Sequence, residues 1–409
     1  MIGLEPIEFA LPESTRAGAE ERPFGVYVHV PFCAVRCGYC DFNTYTAAEL
    51  GGGGSRAEYG DNVRQEIAFA TNAMRERGLP PRPVSTIFFG GGTPTLLPVH
   101  DLIAMKDAVA AAWGLAPGIE ITTEANPDSV TAAGLQQLAK AGFTRVSFGM
   151  QSAVPRVLAT LDRTHNPARI PTVVQWAKDA GLQVSLDLIY GTPGEAIADW
   201  NTSIQTALSC EVDHISAYAL VIERGTKMAA QVRRGQLPNP DDDDLATKYE
   251  MADDAFNAAG LSWYEISNWA RGEEFFCHHN VNYWQGGDWW GIGPGAHSHI
   301  GGMRWWNVKH PSTYAQRLSS AASPGSIGSP AAGSEILDDD ARYLEDVLLQ
   351  TRLAWGMDFA RLRPGARAAV GDLVTDGLVD TTAAAHERVV LTRRGRLLAD
   401  SVVRALTED

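Results

Sequence analysis

Between residues 23 and 220 the chain alternates two hydrophobic rhythms. Short β-branched and aromatic runs at Val26–Val30, Thr86–Phe89, Glu120–Glu124, Arg145–Phe148, Val184–Ile189 and His214–Ala219 read as strands. Between them, stretches at about 57–77, 99–113, 129–141, 168–180 and 197–209 space their apolar residues as amphipathic helices do. Strand and helix in regular succession predict a parallel sheet with helices outside it. Six such units fall short of the eight of a closed barrel. The expected fold is therefore α/β, an open, partial (β/α)6 barrel of TIM type, with a doubly wound sheet as the alternative.

The rest of the chain reads differently. Residues 1–22 are polar and predict a mobile lead-in before a barrel over 23–260, and Gly51–Gly54 reads as a flexible insert. Residues 241–260 predict a helix whose acidic start suits the helix dipole. Residues 261–318 form an extension holding seven of the eleven Trp and five of the ten His. Residues 319–337 contain a Ser/Ala/Gly/Pro-rich linker. Beyond it, 338–409 predicts a small winged-helix-like α+β domain: helices, a hairpin from Gly377–Asp380 to Val389–Thr392, and a last helix.

Composition narrows the function classes. Over 409 residues the net charge is −15, whereas a protein that grips phosphate backbones shows a basic face, so nucleic acid is not an expected partner. No run of about eighteen uncharged apolar residues predicts a membrane span. The first residues lack the basic-then-apolar order of a signal peptide. Five cysteines, an odd number with three of them close together, argue against a disulfide framework and for a metal in a reducing cytoplasm. Cys210 reads as a buried core thiol.

The unusual residues cluster where predicted strands end. Cys33, Cys37 and Cys40 follow the first strand and Gly90-Gly91-Gly92-Thr93 the second. Glu124 closes the third, Gln151 follows the fourth, and Asp187 and Tyr190 close the fifth. Barrels build their sites at this rim. The spacing C-x3-C-x2-C puts three thiolates in one loop, enough for three irons of a [4Fe-4S] cube. The fourth iron is then open to an outside chelator such as the amino and carboxylate groups of S-adenosylmethionine (SAM). A Cys3His zinc site completed by His29 is the alternative, although His29 shares a strand face with Tyr27 rather than the loop. Pro31 and Gly38 help the loop wrap tightly.

The segments YVHVPFCAVRCGYCDF, FFGGGTPT, ITTEANPD, RVSFGMQS, LDRTHN, SLDLIYGTPG and FCHHNVNYW resemble, in this order, the radical SAM superfamily. The resemblance is to the branch containing oxygen-independent coproporphyrinogen III oxidase and the HemW haem chaperones, and it runs from Tyr27 almost to the C-terminus. It implies that Cys33, Cys37 and Cys40 hold the cluster. It also implies that Tyr27, Tyr39, Gly91, Gly92, Thr93, Glu124, Gln151, Arg163 and Asp187 contact SAM. Ala219 and His297 align with further SAM contacts only through weaker local similarity.

Two departures separate the branches. The oxidase pattern carries another Cys two residues after the third ligand, where this chain has Phe42, and a longer N-terminal extension, where this chain has 26 residues before Tyr27. His279-Asn280-Val281-Asn282-Tyr283 resembles the H-N-x-x-Y motif linked to haem in the chaperones, implying His279, Asn280 and Tyr283 as haem residues. Trp263, Trp269, Trp284, Trp289 and Trp290 are expected to wall the macrocycle. Cys277-His278 is not a C-x-x-C-H attachment signature. The resemblance thus implies a haem chaperone that uses a [4Fe-4S] cluster, SAM and haem and delivers haem to acceptor proteins. The enzyme alternative is oxidative decarboxylation of coproporphyrinogen III, and a third reading is a radical SAM enzyme acting on an unrelated small molecule.

Overall fold

The computed structural model describes residues 9–50, 55–320 and 328–408. The glycine insert at 51–54, residues 1–8 of the expected lead-in and 321–327 of the expected linker lie outside the described residues.

The strands are β1 (Phe24–Val30), β2 (Val84–Gly91), β3 (Leu115–Ala125), β4 (Arg145–Gln151), β5 (Gln183–Tyr190), β6 (His214–Ala219), β7 (Ser262–Glu265), β8 (Asn268–Ala270), β9 (Asp288–Ile292), β10 (His297–Ile300), β11 (Met303–Asn307) and β12 (Ala331–Ile336). They form one sheet in the order β12-β11-β10-β9-β1-β2-β3-β4-β5-β6-β8-β7. The six expected strands pair in parallel in sequence order, and β9 joins them as a seventh, parallel to β1. Antiparallel strands extend both ends. The edges β12 and β7 do not pair with each other, so the fold is an open, partial barrel.

Strand alternation divides the barrel. On one face Val146, Phe148, Val184, Leu186, Leu188, Ile215 and Ala217 are buried in the main apolar core. Burial of such side chains stabilises the fold by about 1.5–3 kcal/mol each. On the other face Thr122, Glu124, Arg145, Ser147, Ser185, Asp187, His214 and Ser216 line an interior cleft. A period of two sends these neighbours to opposite sides.

Several expectations need correction. Residues 9–22 are not a free lead-in: Leu11, Thr15 and Ala19 are buried, and Arg22 donates to Asp288 at 3.0 Å. The extension at 261–318 is no appendage, because it supplies β7 to β11. The linker's last part is β12, paired along β11. In the C-terminal unit, Val379 and Leu391 make only an isolated bridge. The two-stranded ladder forms instead between β13 (Met357–Asp358) and β14 (Arg388–Val389). Asp380 caps a short helix over Thr381–Ala385 by accepting from the Ala383 amide, so the expected hairpin loop is helical.

One buried carboxyl ties the helix Arg56–Glu76 to the added strands. Glu66 accepts from the Gly293 amide (2.7 Å), Asn307 Nδ2 (2.7 Å) and the Tyr314 hydroxyl. Burial nevertheless pushes it up to about 7, against those hydrogen bonds. The folded state therefore holds a proton that the unfolded chain has released. Its stabilising effect is complete at low pH and is lost as pH rises from the ordinary carboxylate range to about 7. Urea unfolding of the metal-free protein is expected to show a decline of roughly 3 kcal/mol over that window from this group. Glu66→Gln removes this part of the slope; an unchanged slope in that variant would refute the assignment.

Candidate functional site

The thiol loop lies at the C-terminal end of β1 and is stitched to its neighbours through the backbone. Cys33 N–H donates to Tyr45 O (3.0 Å), Gly38 N–H to Leu161 O (3.2 Å), and Met228 N–H to Gly38 O (2.8 Å). The glycine turn after β2 runs alongside, with Gly92 N–H on Val30 O and Thr93 N–H on Phe32 O, both 2.8 Å. A Cβ on residue 92 would come within 2.5 Å of Phe32 O, so only glycine permits this approach. Gly91 has φ 108°, and its amide donates to Glu124 Oε2 at 3.0 Å.

Cys33, Cys37 and Cys40 are half-buried at one end of a cleft of about 1010 Å³. The zinc alternative does not fit. His29 Nε2 bonds to Asn43 O at 2.9 Å and its Nδ1 faces the Tyr27 hydroxyl at 3.0 Å, so neither ring nitrogen is free. Among the described residues, no three His, Cys, Asp or Glu side chains converge to grip one ion. Three thiols spread along a loop suit one thiolate on each of three irons. Burial pushes Cys33 up to about 11 and raises Cys40, so metal binding there has to displace protons. Arg163 brings Nη1 within 3.7 Å of Cys37 Sγ and donates from Nη2 to Gly149 O at 2.8 Å.

All the expected SAM residues reach this cleft: Tyr27, Tyr39, Gly91, Gly92, Thr93, Glu124, Gln151, Arg163 and Asp187. Gln151 has φ 60°, an uncommon conformation for a side chain of its kind, at the strand's end. A Cβ on Gly149 would crowd Gln151 Nε2 (2.9 Å) and Arg163 Nη2 (3.1 Å), so both polar ends lie over this glycine. Burial, reinforced by nearby Asp187, raises Glu124 to about 8. Burial raises Asp187 to about 6, against hydrogen bonds from Ser216 and Ser147, the latter 3.0 Å from both carboxylate oxygens. With pKa values raised in this way, either carboxyl can accept or donate a hydrogen bond in the cleft.

His279, Asn280 and Tyr283 line the same cleft. Glu120 on β3 places them: its carboxylate accepts from the His278 (2.9 Å) and His279 (3.2 Å) amides at the start of the helix His278–Trp284. Arg145 holds the preceding turn, donating to Phe275 O and Phe276 O at 2.8 Å each. His279 itself is buried, with Nδ1 on Thr86 Oγ1 (2.8 Å) and Nε2 on the Tyr283 hydroxyl (2.7 Å). Burial pushes its pKa down to about 3, so the ring is neutral. The expected tryptophan wall does not form. Trp269 and Trp290 are fully buried in the core, Trp263 lies under Arg396, and of the five only Trp289 lines the cleft. Their apolar rings found enough partners between the sheet and its helices to be taken inside.

The strand-interior polar residues were not singled out by motif. Thr122 Oγ1 and His214 Nδ1 are buried polar atoms in cleft-lining residues, with no protein partner among the described residues. The signal for this layer was present as alternation inside the strands, in Arg145-Val146-Ser147 and Ser185-Leu186-Asp187.

Residues 27–207 match the radical SAM superfamily. Over 387 residues the chain is 51% identical to a protein named heme chaperone HemW from Mycobacterium tuberculosis, covering 94% of this chain and 95% of that one. It is 32% identical to the heme chaperone HemW of Bacillus subtilis, covering 92% and 97%. Among solved structures, coproporphyrinogen III oxidase (HemN) from Escherichia coli superposes with a TM-score of 0.80 at 22% identity, over 99% of this chain and 95% of that one. That likeness concerns the fold.

Proposed function

The chain belongs to the radical SAM superfamily and, within it, to the HemW family, and on that footing we propose that it is a haem chaperone that binds haem and passes it to acceptor proteins. The observation that carries this reading is that the H-N-x-x-Y segment and the thiol loop open into one cleft. We assign Cys33, Cys37 and Cys40 to the [4Fe-4S] cluster of the family. Tyr27, Tyr39, Gly91, Gly92, Thr93, Glu124, Gln151, Arg163 and Asp187 are assigned to SAM. We assign His279, Asn280 and Tyr283 to the wall of the haem site. A cluster held by Cys33, Cys37 and Cys40 would supply one electron to a bound sulfonium. The protein's own groups do the rest. Arg163 offers a guanidinium suited to a carboxylate, Glu124 and Asp187 face the nucleoside, and the glycine turn lets the backbone approach it.

The oxidase alternative shares the fold but meets Phe42 where its pattern has a further thiol. A reducing cytoplasm is the compartment that suits the oxygen-sensitive thiol loop and the three close, unpaired cysteines. Among the described residues no helix is long and apolar enough to cross a membrane.

Protein reconstituted anaerobically with iron and sulfide is expected to take up haem stoichiometrically, with a shifted Soret band. Given coproporphyrinogen III, SAM and reductant, the same preparation is expected to yield no decarboxylated product. Failure to take up haem, or steady porphyrinogen turnover, would overturn the chaperone reading.

A further inference from the structure

Neither nitrogen of His279 is available to a metal without breaking a buried hydrogen bond. The next histidine along the cleft is different. His297 begins β10, is exposed, and lines the cleft. Its ring stacks on Trp306 at 5.9 Å, and its nitrogens have no hydrogen-bond partner among the described residues. The two histidines are also linked. Tyr283, bonded to His279, packs its ring 4.5 Å from Trp289, and Trp289 Nε1 donates to the His297 carbonyl at 3.0 Å. Gly291 admits that carbonyl where any Cβ would collide with it.

The cleft that His297 lines suits an apolar, anionic, iron-bearing ligand. Val35 and Phe42 on the thiol loop, Tyr218 near the end of β6 and Val221 just after it are among the most exposed large apolar side chains, and all four line this cleft. Water-exposed apolar side chains lining a cleft mark a binding surface. Lys309 lines the same cleft and acts electrostatically on His297, as Arg304 does, so cationic charge stands where acidic substituents would sit. The cleft, of about 1010 Å³, also holds the thiol loop and the glycine turn, so haem would share it with the cluster and SAM.

We propose that His297 is the axial ligand of the haem iron, with Phe42, Val35, Tyr218 and Val221 against the porphyrin and Lys309 toward a propionate. In this arrangement His279 and Tyr283 are positioning residues that set His297 through Trp289. The proposal rests on the haem-carrier reading above.

The test is a titration of the full-length, anaerobically reconstituted chain with ferric protoporphyrin IX, followed by absorbance and electron paramagnetic resonance. His297→Ala is expected to lose the imidazole-ligated spectrum and to bind at least about tenfold more weakly. Added imidazole restores the spectrum, while iron content stays at the parent level. His279→Ala is expected to weaken binding yet keep an imidazole-ligated spectrum. If the parent protein binds haem and His297→Ala leaves both spectrum and affinity unchanged, the ligand assignment falls while the carrier reading stands. A fall in SAM affinity with haem uptake unchanged would also overturn it, making His297 a SAM contact. If the parent protein binds no haem, both fall.

Discussion

Cys37→Ala protein, reconstituted without air, is expected to lose its brown visible absorbance and to fall from about four iron atoms per chain to near none. Cys37 is the middle thiol of the loop, and its sulfur is the one that Arg163 approaches at 3.7 Å. With it gone, two thiols remain, and no neighbour replaces it. His29 is bonded through both ring nitrogens, Cys210 is buried, and the buried Cys277 thiol is directed at Glu120. SAM affinity is expected to fall with the cluster, because a cluster held by the three thiols would offer SAM one of its anchors. Folding is not expected to suffer. Cys37 is only half-buried, and the loop is held by backbone hydrogen bonds at Cys33, Gly38 and Cys40 that the substitution leaves in place. Iron and sulfide analysis beside far-ultraviolet circular dichroism separates the two effects. Retention of a full complement of iron by a folded variant would refute the thiolate assignment.

The largest structural effect is expected at Asp288. Its carboxylate is fully buried at the start of β9, where it accepts from Arg82 Nη2 (2.6 Å), Arg22 Nε (3.0 Å) and the Gly301 amide (2.9 Å). One side chain thereby joins the N-terminal segment, β9 and the turn between β10 and β11. Arg82 is itself buried and also donates to Ala19 O at 2.8 Å. Asp288→Ala leaves two guanidinium groups and an amide facing an empty space, the situation in which breaking a buried pair costs about 3–5 kcal/mol. Asp288→Asn keeps the shape and one acceptor oxygen and should cost less. The chemical-denaturation midpoint of the metal-free protein measures both. A loss of under about 1 kcal/mol for the alanine variant would mean that this network contributes little. Since Trp289 follows directly and carries the hydrogen bond to His297, a weakened Asp288 anchor should also loosen the cleft wall.

Reading the chain in order recovered the barrel and its rim. Strand periodicity located all six leading strands, and the residues at their ends converge on one cleft, from Cys33 on β1's loop to Asp187 on β5. Local pattern sufficed there because strand, turn and ligand lie within a few residues of one another. The strand interiors were harder. Ser147 and Ser185 alternate with apolar neighbours inside the segments RVSFGMQS and SLDLIYGTPG, but alternation alone does not say which face meets the cleft until neighbouring strands pair. The region after 260 misled for a related reason. Its tryptophans read as a ligand wall, yet Trp269 and Trp290 are core residues, because partners far away in sequence cover them.

By itself the sequence determined the parallel barrel, the three-thiol loop and the glycine turn, since each depends on contacts or backbone freedom within a short stretch of chain. Only the tertiary structure decided that β9 closes onto β1, that residues 9–22 pack down, and that His279 is saturated while the His297 ring has no hydrogen-bond partner among the described residues. Those outcomes depend on hydrogen bonds and burial between segments hundreds of residues apart, and no local pattern encodes which polar groups will find each other there.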